Sequence, residues 1–258
     1  MAESAETVQA FARGLAVIRA FDAEHAELSL SDVARRADIT RAAAGRFLRT
    51  LEALGYVRSD GKQFALTPLV LELGFSYLSA LSLPEIVQPH LERLSREVNE
   101  SVSAAVLDGT DIVYVARVPT RRIMNVHITI GTRFPAYATS MGRVLLAGLP
   151  DVDAQDVLQT SAIEALTERT VTDPDQLWAR VAQVREHGWS LVDGELESGL
   201  LSVAAPLRGR GGQVVAAVNI STSSTPERGA QIEEQFVPRL LGTAAAINAE
   251  LTLLSHGA

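Results

Sequence analysis

Residues 28–57, LSLSDVARRADITRAAAGRFLRTLEALGYV, constrain the fold more than any other stretch. Two short amphipathic helices meet here through Ala37-Asp38-Ile39, too short a link for anything but a tight crossing. Ser31 is placed to cap the first, which runs to Arg36 with Val33 and Ala34 inward. Thr40 is placed to cap the second, whose inward stripe is Phe47, Leu48, Leu51 and Leu54. A helix over about Thr7 to Phe21 precedes them, with Phe11, Leu15, Ile18 and Phe21 at helical spacing. After Gly55, Tyr56-Val57-Arg58 and Gln63-Phe64-Ala65 flank Asp60-Gly61, a strong hairpin signal. Three helices and a hairpin make a winged helix-turn-helix, whose second short helix enters a major groove about 12 Å wide.

Charge agrees with that reading. The chain carries −8 overall, which taken alone argues against nucleic acid. Between Arg35 and Lys62, however, seven basic residues face three acidic ones. A small phosphate-facing surface on an acidic body fits this asymmetry, as does a solvated basic helix face. Small residues (Ala42, Ala43, Ala44, Gly45) keep the start of the third helix slim. Thr40, Arg41 and Ala42 lie at its N-terminal end, where base edges are reached, and Arg46 projects for a base or a phosphate. Arg35, Arg36 and Arg49 suit phosphates, and Lys62 suits a wing contact. A three-helix protein-interaction module is the competing interpretation.

The rest of the chain divides around Thr67-Pro68. Residues 1–67 form the DNA-binding domain, 68–82 a linker helix and 83–258 a second domain. Leu69 to Leu81 is apolar over much of its circumference and is expected to pack on its counterpart in a second subunit. Pro84 to Asn99 is helical. Strands follow at Val102–Leu107, Ile112–Val118 and Ile123–Ile130, then helices at Met141–Leu149, Asp153–Gln159 and Pro174–His187. Strands return at Trp189–Val192, Leu201–Leu207 and Val214–Ile220, and a helix closes over Gln235–Leu254. No regular βαβ repeat is present, so the fold class is α+β with a mostly antiparallel sheet.

Composition excludes several function classes. With no cysteine there is no disulfide, thiol nucleophile or Cys-based zinc site. The five histidines form no H-E-x-x-H pair, so no metal site is indicated. Ala138-Thr139-Ser140-Met141-Gly142 lacks the first glycine of a nucleophile elbow, and Gly209-Arg210-Gly211-Gly212 lacks the glycine spacing of a phosphate loop. Glu195 and Glu197 read as a solvated turn. No cofactor and no enzymatic activity are expected. No apolar run approaches a membrane span, and Glu3 and Glu6 stand where a signal peptide carries basic charge. A cytoplasmic location without membrane association is the expectation.

Three motifs in order, residues 28–57, FALTPLVLELG and RFPAYATSMGRVLLAGL, resemble the IclR family of bacterial regulators over essentially the whole chain. VDGELESGLLSVAAPL and VVAAVNIS extend the likeness. The resemblance implies a winged helix-turn-helix, a linker helix and a GAF-like effector domain, in homodimers or homotetramers on palindromic double-stranded operator DNA, with RNA polymerase a possible further partner. RVPTRRIMNVHITIGTRFPAYATSMGR is similar to regulators of aromatic-acid catabolism, those of the protocatechuate, 4-hydroxybenzoate and β-ketoadipate pathways. Family positions carried onto this chain put effector contacts at Ser140, Met141, Asp193, Ser202, Asn219 and Ser221. Ser202 stands where many members have Cys.

Side-chain chemistry adds candidates for an aromatic or dicarboxylic acid. Phe134 and Tyr137 can wall a flat slot, and His127 can bond a ring hydroxyl. Arg117, Arg121, Arg122 or Arg133 can pair with a carboxylate, Arg133 foremost. The alternatives are a regulator answering to a different small organic acid, or a ligand sensor that does not bind DNA.

Overall fold

The computed structural model describes residues 8–22, 24–73, 83–120, 128–209, 211–225, 229 and 231–254. Contacts divide the chain into two units, Met1–Ala80 and Leu81–Ala258.

In the first unit, α1 (Gln9–Arg19), α2 (Leu30–Arg36) and α3 (Arg41–Ala53) pack with a small sheet of β1 (Glu27–Ser29), β2 (Val57–Ser59) and β3 (Gln63–Leu66). The sheet order is β1-β3-β2, antiparallel throughout. Val17, Phe21, Leu28, Val33, Ala44, Leu48 and Val57 form the core. Thr40 caps α3, accepting the Ala43 N–H at 3.2 Å. Asp38 takes a left-handed φ of 52° in the turn between α2 and α3, a conformation its short polar side chain tolerates.

Two details depart from the sequence expectation. Ser29, not Ser31, caps α2: its hydroxyl accepts the Asp32 N–H at 3.3 Å and donates to the Asp32 carboxylate at 2.6 Å. This reciprocal box satisfies two groups at once, which Ser31 cannot do. It also holds the Asp32 carboxyl below the usual range, the Ser29 hydrogen bond being the main cause. Leu54, expected in the buried stripe, is 59% exposed at the end of α3.

A single turn of 3-10 helix, Pro68–Val70, follows Thr67, whose hydroxyl accepts the Leu69 N–H at 3.3 Å. Most of the expected linker helix, from residue 74 to 82, lies outside the described residues.

The second unit is built on a six-stranded antiparallel sheet of order β6-β5-β4-β9-β8-β7. Its strands are β4 (Ser101–Asp108), β5 (Asp111–Val118), β6 (Arg133–Pro135), β7 (Ser190–Asp193), β8 (Leu200–Arg208) and β9 (Val214–Ser223). Helices α4 (Leu83–Val98) and α8 (Val237–Leu254) cover one face, and α5 (Ser140–Ala147) packs on the other. Behind α5 lie α6 (Asp151–Thr160) and α7 (Pro174–His187). The architecture is α+β. The expected third strand over 123–130 falls partly outside the described residues; the segment that pairs with β5 is Arg133–Pro135.

Two local features set the α5 face. The β4–β5 register shifts between Ala104 and Ala105: Ser103 pairs with Arg117, whereas Ala105 pairs with Tyr114. The extra residue in β5 brings both Tyr114 and Arg117 to this face, which simple alternation would not do. Gly142 in α5 sits against the turn Ala136–Ala138, and a Cβ there would lie 2.1 Å from the Ala136 carbonyl oxygen. Only glycine allows α5 to approach this closely.

Candidate functional site

On α3, successive residues turn by about 100°, so Ala42, Arg46 and Arg49 share one exposed face while Ala44 and Leu48 point into the core. Arg41 is exposed at the first turn, immediately after the Thr40 cap. In the wing, the Asp60 carboxylate accepts the N–H groups of Gln63 at 2.7 Å and Lys62 at 2.8 Å. Those backbone bonds hold its carboxyl below the usual range. Gly61, with φ of 91°, completes the turn and leaves Lys62 exposed. Arg35 is exposed, with its guanidinium 2.6 Å from Asp32.

Arg36 is different. Its Nε donates to the Ala20 carbonyl at 2.7 Å and its Nη2 pairs with Asp22. The guanidinium ties α2 to the end of α1, so a phosphate contact has to compete with two internal bonds.

In the second unit a concavity opens between the sheet and the start of α5. Ile128, Met141, Val192, Leu196 and Leu200 give it apolar walls, and Tyr114 contributes an aromatic face. Its polar part is a connected cluster. Ser140 and Ser202 hydroxyls are 2.8 Å apart, and Asn219 Nδ2 donates to both Ser202 and Ser221 at 2.9 Å. Asn219 and Ser221 lie two apart on β9 and therefore share a face. All four are buried.

Thr139, also lining the concavity, caps α5 by accepting the Gly142 N–H at 3.0 Å. The Ser140 and Met141 N–H groups that follow have no intrahelical acceptor and carry the positive end of the helix dipole. No charged side chain lines the concavity among the described residues.

The structure thus brings together Ser140, Met141, Ser202, Asn219 and Ser221 of the expected effector contacts, and sends three elsewhere. Arg133 is drawn to the β4–β5 hairpin, 2.6 Å from Asp108 and 3.2 Å from Asp111. Those partners, the Asp108 bond first, raise its already high pKa. Tyr137 is buried with its hydroxyl donating to the Glu164 carbonyl and accepting the Glu164 N–H, both at 3.0 Å. Asp193 pairs with Arg169 and accepts the Ser224 hydroxyl at 2.6 Å. His127, Arg121 and Arg122 lie outside the described residues. Phe134 packs edge-on to Tyr114 at 5.9 Å, behind the wall.

Glu195 corrects another expectation. It is 7% exposed, not solvated, and accepts Arg143 Nη2 at 2.6 Å and the Val171 N–H at 3.1 Å. Arg143, 2% exposed, also donates to the Tyr137 carbonyl at 3.1 Å. This buried pair fastens the segment bearing Leu196 to α5. Sequence reasoning also passed over Tyr114, whose hydroxyl burial pushes up to about 12. The available signal was an aromatic residue within the apolar run of β5.

Residues 75–249 match the C-terminal region of the bacterial transcriptional regulator IclR, and residues 10–61 match the IclR helix-turn-helix domain. The chain belongs to the IclR family. Among curated relatives, the Pca regulon regulatory protein of Pseudomonas putida is 42% identical over 255 residues, covering 95% of this chain and 88% of that protein. A solved structure from Rhodococcus sp. RHA1 is 56% identical with a TM-score of 0.87, covering 96% of this chain and all of the other. An IclR homologue from Microbacterium hydrocarbonoxydans, crystallised with 4-hydroxybenzoate, is 26% identical with a TM-score of 0.82, covering 94% of this chain and 98% of that one. The chain is an IclR-type DNA-binding transcription regulator, related to regulators of aromatic-acid genes. Its relatives are regulators, not enzymes. Among the described residues no helix is long and apolar enough to cross a membrane.

Proposed function

We propose that this IclR-family protein senses a small carboxylic acid of about one aromatic ring in the α5 concavity, and that occupancy changes its hold on operator DNA. The observation that carries this is the concavity itself: apolar walls around one buried hydroxyl–amide cluster. Apolar walls with a few convergent polar groups are the make-up of a site for a small, mostly apolar acid. The cluster and the free N–H groups of α5 receive the polar end, and Met141, Leu196 and Leu200 the body. The aromatic-acid names among the relatives and the 4-hydroxybenzoate bound to the Microbacterium homologue support this ligand class.

On DNA, Thr40, Arg41, Ala42 and Arg46 read bases, while Arg35, Arg49 and Lys62 set register on phosphates. Two subunits of a homodimer, or two of a tetramer, place their α3 helices in successive major grooves, about 34 Å apart. Ligand binding biases that spacing by favouring one of two arrangements. Regulation of transcription in the cytoplasm follows, through occlusion of RNA polymerase or contact with it.

The test is fluorescence anisotropy of the purified protein on its own upstream intergenic DNA, with and without protocatechuate, 4-hydroxybenzoate and β-ketoadipate. Tight, salt-sensitive binding altered by one of these is expected. Specific binding indifferent to all three would point to a different small acid. Absence of specific binding would favour a ligand sensor that does not bind DNA.

A further inference from the structure

Resting on the effector reading above, we infer that Arg117 is the carboxylate partner of the ligand, held in reserve one register step behind the concavity by Ser103. The difficulty that leads there is electrostatic. A carboxylate entering this site leaves water, and a buried anion is costly without a compensating charge. Yet among the described residues the polar lining consists of hydroxyls, an amide and helix N–H groups, and Arg133, the cation expected for the task, is occupied at the far hairpin.

The register places one cation within range. Arg117 on β5, Ser103 on β4 and Asn219 on β9 stand directly opposite one another in a row across three strands. The shift between Ala104 and Ala105 turns Arg117 to the same face as Tyr114, which lines the concavity. From Arg117 to Asn219 is two strand spacings, about 10 Å at the backbone, within reach of an extended guanidinium directed along the row.

The present position of Arg117 is poorly satisfied. Nη1 donates to the Ser103 hydroxyl at 3.0 Å, while Nε is buried with no partner. The other buried side-chain atom left without a partner among the described residues is Asn219 Oδ1, at the opposite end of the same row. Burial also lowers the Arg117 pKa, the mark of a charge short of compensation. A half-buried cation with an idle donor, bonded to a neutral hydroxyl, gains when an anion arrives beside it. Exchanging Ser103 for a carboxylate replaces a neutral acceptor with a charged one, and the planar fork then engages two oxygens. The acid thereby recruits its own counter-ion.

The experiment compares 4-hydroxybenzoate with 4-hydroxybenzamide, its neutral isostere, by isothermal titration at pH 7 on the full chain. Variants are R117M, R117K and S103A, each checked for an unchanged melting temperature. Wild type is expected to favour the acid by about tenfold or more, the worth of a charge-assisted bond. R117M should lose at least that factor for the acid while holding the amide within about twofold. R117K should fall between, and S103A should keep the preference, because Ser103 only stores the side chain. Wild-type affinity for the acid in R117M would overturn the assignment and leave the effector reading standing. Should wild type bind neither compound, the ligand class and the role of Arg117 fall together.

Discussion

Replacing Gly142 with alanine sets two effects of opposite sign against each other. Helix propensity favours the change, since glycine inside a helix costs about 1 kcal/mol relative to alanine. Packing opposes it. The new methyl would lie 2.1, 2.4 and 2.6 Å from the oxygen, Cα and carbonyl carbon of Ala136, all backbone atoms. Relief requires α5 and the turn Ala136–Ala138 to separate by about 1 Å, and such overpacking costs about 1–3 kcal/mol or more. Ala136 is itself fully buried, which leaves the turn little room to yield. A net loss of about 2 kcal/mol is expected. The shift also moves Ser140 and Met141, so ligand affinity falls with stability. Urea unfolding followed by tryptophan emission suits the measurement, because both tryptophans, Trp178 and Trp189, belong to the second unit. An unchanged or raised midpoint would refute the argument, showing propensity to outweigh the contact.

Three further outcomes are open to measurement. E195A strands the buried Arg143 charge and should lower urea stability by about 3–5 kcal/mol, while R143M/E195L together should recover most of the loss. The Tyr114 hydroxyl sits at about 12 against an ordinary 10.0, so the folded chain keeps a proton that the unfolded chain releases. Its share of stability is intact below pH 10 and is lost as pH rises to 12, up to about 3 kcal/mol, and Y114F should remove that dependence in unfolding curves taken across this window. R41A should relax base preference, whereas R49A should weaken cognate and random DNA alike; equal effects of both variants on both DNAs would contradict the division of roles.

How much of this was legible from residues alone differs between the two units. The first is dominated by local signals. Thr40 caps what it is placed to cap, Asp60-Gly61 makes the wing, and Leu48 and Val33 fall inward as their spacing dictates. The slip from Ser29 to Ser31 came from weighing one hydroxyl without the carboxylate at Asp32 that closes the box. In the second unit, Ser140, Met141, Ser202, Asn219 and Ser221 were legible through strand periodicity and family likeness. Arg133, Tyr137 and Asp193 lie outside the concavity's lining, because each is claimed by a partner distant in sequence: Asp108, Glu164 and Arg169. Alternation along β5 does not show that Arg117 and Tyr114 share a face. One extra residue reverses the pattern there, and only the pairing with β4 shows it.

The engagement of Arg36 by Ala20 and Asp22 changes the count of counterions that DNA binding releases. Of the cations proposed for phosphates, Arg35, Arg49 and Lys62 are exposed. In the proposed dimer, these three from each subunit would displace on the order of six condensed cations from the duplex, for a slope of about −5 in log affinity against log salt. A rise from 50 to 200 mM salt would then weaken binding by about a thousand-fold. On that count, occupancy of the operator is set by the ionic strength around the DNA as well as by the ligand.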